Sequence, residues 1–264
     1  MSLNRIVEVM LRQQVSAKPE LSTADLEGLL RLLAKWRHQL LSNSLVTRDG
    51  MVVRAGPFAG MIMGAHSSEG GHAPRLLGCY EHELHPHLER LIARGFPTVL
   101  NIGCSTGYYA IGLARRMPGA ILHAHDTDAN ARNLCHRLAE ANGVAERVRI
   151  GGLFAGDDFA RFVGQDVLLV TDIEGEELAL LDPEAYPALR CMSLVVECHD
   201  VIRPGIADTL TARFAPTHRI ERIANRPAAP PLPGWMQELG HLDQLLATWE
   251  WRSGPTPWLV MEPA

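Results

Sequence analysis

The chain has 264 residues, 47% of them hydrophobic, with 30 acidic and 25 basic side chains and a formal net charge of −5. That length and apolar share suit one large α/β domain, or one such domain with a small appendage, and the acidic balance argues against a general nucleic-acid binder. No apolar run approaches the ~18 residues that cross a bilayer, and the five scattered cysteines lack the C-x-x-C pairing of a disulfide or zinc framework.

At the N-terminus, Leu3, Ile6, Val7, Met10 and Leu11 share one helical face. The opening Met1-Ser2-Leu3-Asn4-Arg5 has no apolar stretch of the secretory kind, so a cytoplasmic chain with reduced thiols is expected. Pro19 interrupts the pattern, and Ser22 with Asp25 caps a second helix bearing Leu26, Leu29, Leu30, Leu33, Trp36 and Leu40. This pair reads as an extra layer over the core, or as a lid, or as the surface of a homodimer. Asp49-Gly50 and Gly56-Pro57 frame two short apolar runs, at 51–53 and 61–63, and predict a hairpin. Residues 67–74 read as a loop and 76–93 as a helix. Residues 1–75 are thus an N-terminal extension, and 76–264 the ligand-binding domain.

Beyond Pro97, apolar strands alternate with helices. Strands are predicted at 98–102, 120–124, 148–150, 167–171 and 194–197, with helices at 108–116, 128–142 and 176–181 between them. The rhythm predicts a doubly wound, mostly parallel α/β sheet. The unbroken apolar run Val167-Leu168-Leu169-Val170 fits a strand buried on both faces. Late strands at 219–223 and 258–261, separated by a proline-rich loop at 227–233 and a helix near 237–248, bring the sheet to seven strands with an antiparallel end.

Ligands of such sheets bind beyond the carboxyl ends of the strands, where strand order reverses. The first strand runs into Gly103-Cys104-Ser105-Thr106-Gly107 and then a helix. Glycines let the backbone approach a ligand closely, and the helix amides face it. The G-x-G-x-x-G that cradles a dinucleotide pyrophosphate is absent. S-adenosylmethionine has no pyrophosphate and tolerates a looser turn. Asp126, about 20 residues beyond the turn and ending the next strand, is placed for ribose hydroxyls. Thr127 adjoins it, and Asp128 reads as a helix N-cap. The same turn also matches G-x-S-x-G, an α/β-hydrolase elbow with Ser105 as nucleophile and Asp172 with His199 or His218 following in chain order. No HGGG-type oxyanion segment precedes it.

Two later strands end in acids and an imidazole: Asp172-Ile173-Glu174-Gly175-Glu176-Glu177 and Glu197-Cys198-His199-Asp200. Clustered acids perturb each other's proton affinity. His199 is the first choice of general base, titrating near neutrality, with Asp172 second. The plainer alternatives are a hydrogen-bonded core His199 and a Glu174 that caps a helix. Tyr80, Glu81 and Glu83 either fold over the ligand mouth or form a solvated helix face. His82, His85 and His87 with Glu81 align poorly for a metal on one helix. Asp172, Glu174, Glu197 and His199 have the ligand types for a divalent cation, although no metal is assigned.

The runs 101–109, 172–177 with Leu180-Leu181, and 195–197 resemble the FkbM-type methyltransferases, and the resemblance spans about 76–200. Asp-x-Glu-Gly-x-Glu is its most specific element. The resemblance implies a class I methyltransferase fold, S-adenosylmethionine as cofactor, and O-methylation of a hydroxyl on a small molecule such as a sugar or natural product. By position it implies that Gly103, Ser105 and Gly107 line the methionine end, Asp126 the ribose, and Gly152 or Leu153 the adenine. Asp172 and Glu174 would border the substrate. Asn101 stands where the family carries an acid; it still accepts a hydrogen bond from the cofactor's amino group, without charge attraction. A methyltransferase-fold protein that binds a ligand or partner without catalysis is the other class left open.

Overall fold

The computed structural model describes residues 2–64 and 71–264. Seven strands form one sheet: β1 (Thr98–Ile102), β2 (Ile121–His125), β3 (Val148–Gly151), β4 (Val167–Thr171), β5 (Ser193–Glu197), β6 (His218–Ile223) and β7 (Trp258–Pro263). Their order is β3-β2-β1-β4-β5-β7-β6, with β1 to β5 parallel and β7 antiparallel between β5 and β6. This is the doubly wound, mostly parallel seven-stranded sheet that the sequence predicts. The chain winds outward from β1 to β3, then returns to β4 on the other side of β1. The crevice for a ligand therefore opens at the carboxyl ends of β1 and β4.

Side chains along the central strands alternate between two cores, as the pleat dictates. Val99, Leu168 and Val170 face α5 (Tyr108–Arg116), α6 (Ala129–Ala141) and the N-terminal helices. Leu100, Ile102, Val167 and Leu169 face α8 (Ile206–Phe214). Both faces being covered explains why β1, β4 and β5 are buried at every position and read as near-continuous apolar runs.

The N-terminal pair is α1 (Leu3–Ser16) and α2 (Thr23–Asp49). Ser22 and Asp25 form the expected reciprocal cap, with backbone N–H groups donating over 3.3 and 3.0 Å. The helix α2 runs well past the apolar stripe that announced it. Its second half buries Leu41 and Leu45 in the main core, beside Val53, Phe58 and Met61. The hairpin reduces to a single bridge, Val52 to Ile62.

Residues 67–70 of the expected loop lie outside the described residues, and the rest of it enters α3 (His72–Leu77). The single helix expected over 76–93 is broken into α3, a turn, and α4 (His85–Arg94). Gly78 causes the break: it has φ +75°, and a β-carbon there would sit 2.1 Å from the Ala55 carbonyl oxygen. That tight packing links segments distant in sequence, which helical periodicity does not report. A short α7 (Glu177–Leu180) follows β4. The helix expected at 237–248 is two pieces, α9 (Gly234–Gln237) and α10 (His241–Ala247), parted at Gly240. The helix α8 is an element the sequence reading omits. Among the described residues, no helix is long and apolar enough to cross a membrane.

Candidate functional site

The turn after β1 is held by its neighbours. The Gly103 and Cys104 amides both donate to the His125 carbonyl at the end of β2, over 2.9 and 3.0 Å. Gly103 (φ +75°) lies against the β4–α7 loop, where a β-carbon would meet the Asp172 carbonyl oxygen at 1.6 Å. Gly107 (φ +97°) opens α5 with no room for a side chain beside Cys135. Asp126 binds the turn from the other side. One carboxylate oxygen accepts the Ser105 amide at 2.7 Å and the other accepts the Asp128 amide at 2.9 Å. Each oxygen keeps a further lone pair for a diol. Asp128 accepts the Asn130 amide and is the N-cap of α6.

Two cavities meet at this turn. The larger, about 610 Å³, is lined by Asp126, Thr127, Gly152, Leu153, Phe154, Ile173 and Leu180 among others. The smaller, about 230 Å³, is lined by Asn101, Tyr80, Glu197, His199 and Arg252 among others. Gly103, Ser105, Asp172 and Glu174 belong to both walls. The expected cofactor residues Asn101, Gly103, Ser105, Asp126, Thr127, Gly152, Leu153 and Asp172 therefore line one continuous crevice. Gly107 stands behind it, shaping the helix start.

Buried Asn101 donates its amide to the Val170 carbonyl at 3.2 Å. That contact fixes the amide's orientation and leaves its carbonyl oxygen without a partner among the described residues.

His199 sits in a ring of acids. Its Nδ1 donates to Glu177 at 2.6 Å, and Glu177 is fully buried. Its Nε2 is 3.5 Å from both Asp172 and Glu174, and 4.0 Å from Glu197. Burial alone would strip the imidazole of its proton. The Glu177 hydrogen bond and the Glu197, Glu177 and Glu174 charges oppose this and win, raising its pKa above the usual histidine range. The expected catalytic trio His199, Asp172 and Glu174 is thus brought together, with ligand atoms within 4.8 Å of one another. That spacing would also admit a divalent cation.

A second polar cluster closes the smaller cavity. Arg252 donates to Glu81 at 2.8 Å and Glu250 at 2.9 Å, and also bonds Glu197 and Thr256. Glu81 accepts the Tyr109 hydroxyl as well. Burial, and then the Glu197 charge, hold the Glu81 carboxyl well above the usual carboxylate range. A solvated helix face does not describe Glu81, which is 1% exposed. The sequence reading names neither Arg252 nor Glu250, and gives Glu177 no role. The run Trp249-Glu250-Trp251-Arg252, charges interleaved with tryptophans just before a strand, was the available signal.

The four described non-glycine residues with left-handed backbone are Glu81, Ser105, Glu174 and Trp251. Each lies on or beside the smaller cavity. Strain of this kind persists where the surroundings enforce it, commonly at functional sites.

Other arrangements weighed from the sequence are not assembled. His85 donates to the Tyr80 carbonyl, while His82 pairs with Glu83 and His87 with Glu221, so these three imidazoles face three different partners. His218 contacts the Met192 carbonyl and the Thr217 hydroxyl at the amino end of β5, away from Ser105. His199 spends Nδ1 on Glu177 and turns Nε2 to carboxylates. Among the described residues the sheet also has no strand before β1, which runs into the Gly103 turn, unlike a hydrolase, whose elbow follows several strands.

No protein-family profile matches the sequence. A stretch of 67 residues is 43% identical to the release factor glutamine methyltransferase of Chlorobaculum tepidum, covering 24% of this chain and 23% of that protein. The match therefore spans under a quarter of that relative's length. Among solved structures, the chain is similar to the O-methyltransferase TomG of Streptomyces achromogenes, involved in tomaymycin synthesis and crystallised with SAM. That likeness has 17% identity over 72% of this chain and 83% of that one, with a TM-score of 0.48. It is also similar to an O-methyltransferase of Bacillus cereus crystallised with SAH, at 11% identity over 98% of this chain and 100% of that one, TM-score 0.47.

Proposed function

We propose that the chain is an S-adenosylmethionine-dependent methyltransferase of the FkbM type that methylates a hydroxyl of a small molecule. One observation carries the reading: the two cavities share the Gly103 and Asp172 wall. A ligand with a nucleoside at one end and an amino acid at the other fits across it. Asp126 offers two oxygens to a ribose diol, with Phe154, Ile173 and Leu180 as an apolar bed for a base. The acid-rich smaller cavity suits a positive centre. The 67-residue likeness to a methyltransferase supports the reaction class.

S-adenosylmethionine, when bound, supplies an electrophilic methyl group on a sulfonium. The protein's part is positioning and proton removal. Glu177 fixes the imidazole tautomer by accepting from Nδ1, which aims Nε2 of His199 at the smaller cavity. Asp172 and Glu174 then stabilise the imidazolium formed when Nε2 takes the hydroxyl proton. The Nε2 lone pair that takes a proton is the one a cation would need, so the two roles exclude each other, and the base role is the one proposed.

Calorimetry with S-adenosylhomocysteine tests the cofactor. The wild type should bind it, and Asp126→Ala should weaken binding by about 10–100-fold, the worth of a hydrogen bond to a charged group. Absence of heat with both S-adenosylmethionine and its demethylated product would sink the proposal. Tight binding without turnover on any hydroxylated acceptor would instead favour the non-catalytic class.

The homodimer proposal rests on Ile6, Met10, Val15, Leu26, Leu30 and Leu33 of α1 and α2, which are 40% to 67% exposed. Light scattering should give twice the chain mass, and Leu30→Glu should halve it. A monomeric wild type would remove this part.

A further inference from the structure

Arg75 on α3 is 6% exposed, and it lines the smaller cavity together with Asn101, Gly103, Tyr80 and Tyr108. Its guanidinium lies 4.4 Å from the Tyr80 ring centre and 5.5 Å from that of Tyr108. Stacking of this kind orients a cation without using its N–H donors. Nε and Nη1 are out of solvent and have no hydrogen-bond partner among the described residues. Glu81, the nearby acid, is already committed to Arg252 and Tyr109. A buried guanidinium left in this state is costly, and the cost is recovered only when an anion arrives.

We propose that Arg75 receives a carboxylate, namely the α-carboxylate at the amino-acid end of the bound cofactor. The inference rests on the S-adenosylmethionine reading and names the residue that reads that end. Asn101 supplies the complement in the same cavity. Its carbonyl oxygen is held inward with no partner among the described residues, and it is free to accept from an ammonium. An unpaired buried donor and an unpaired buried acceptor on one wall match a zwitterion. The remaining groups exclude a simple anion, since Asp172, Glu174, Glu197 and Glu250 also line this cavity. Arg75 is therefore the place in the cavity where negative charge on a ligand meets two donor nitrogens that have no partner among the described residues.

The test compares three probes by calorimetry on the full chain: S-adenosylhomocysteine, its decarboxylated analogue, and 5′-methylthioadenosine, which lacks the whole amino-acid end. On the wild type, the decarboxylated analogue should bind at least about tenfold more weakly than S-adenosylhomocysteine. Arg75→Gln should weaken S-adenosylhomocysteine about 10–100-fold, leave 5′-methylthioadenosine within twofold, and be partly rescued by Arg75→Lys. Equal wild-type affinity for the carboxylated and decarboxylated probes overturns the proposal even if the variants do not fold. So does an Arg75→Gln that weakens all three probes alike, since the residue would then act only through the fold. A wild type that binds none of the probes takes down the cofactor reading, and this inference with it.

Discussion

Gly103→Ala should abolish cofactor binding and lower stability by about 3 kcal/mol, an overpacking cost of ~1–3 kcal/mol added to a left-handed backbone cost of ~1–2 kcal/mol. The added methyl would point at the Asp172 carbonyl oxygen from 1.6 Å. Both partners are backbone, so no side chain can rotate away. Relief requires the β1–α5 and β4–α7 loops to separate, and those two loops are the wall shared by both cavities. For a chain of this size the melting temperature should fall by roughly 6–12 °C. Thermal denaturation and calorimetry check the two halves. Gly107→Ala meets the Cys135 sulfur at 2.8 Å, a contact with a side chain, and should be milder. A Gly103→Ala variant that melts and binds like the wild type would refute the close contact.

His199→Ala should lower kcat by roughly 10²–10⁴-fold, the range for a general base, while S-adenosylhomocysteine affinity stays within about twofold. The pH profile adds a sign. Because the acids raise its pKa, His199 is protonated below and through its ordinary range, and the base form appears only above it. Turnover should therefore rise with pH, with its midpoint above 6.5, and His199→Ala should lose that limb. Stability runs the opposite way. The imidazolium–carboxylate contribution is complete below the unfolded pKa and is lost as pH rises through the folded one. Glu177→Gln should move the limb to lower pH by removing the strongest raising contact. Turnover that disappears with EDTA and returns with Mg²⁺ would instead make Asp172, Glu174 and His199 metal ligands. An unchanged kcat in His199→Ala would exclude both roles.

The part of this site legible in the sequence is the part built by neighbouring parallel strands. Register places Ile102 opposite both His125 and Thr171, so whatever follows each strand falls in one crevice. Reading the strand ends was enough to bring Gly103, Asp126, Asp172 and His199 together. Arg252 and Glu81 stand 171 residues apart, and no local pattern predicts that pairing. Arg75 fell between the expected loop at 67–74 and the expected helix at 76–93, whereas α3 spans that boundary and ends at Gly78, packed against Ala55. The omission of α8 is different, because Ile206, Ala207, Leu210 and Phe214 are its buried face and carry helical spacing. The left-handed backbone at Glu81, Ser105, Glu174 and Trp251 contradicts local preference, as a site that trades stability for geometry does.

The acids around the smaller cavity bear on how a reaction cycle ends. On the proposed reading, methyl transfer turns a sulfonium into a neutral thioether while His199 takes the hydroxyl proton, so the positive charge passes from ligand to protein inside a chamber walled by Asp172, Glu174, Glu197 and Glu250. Attraction that gathers the donor thus lapses once the donor is spent. Arg252 does not replace it, being already divided among Glu81, Glu197 and Glu250. Spent cofactor would then be held by its nucleoside and its zwitterionic end alone, and the acids would favour a fresh, charged molecule once the imidazolium has released its proton.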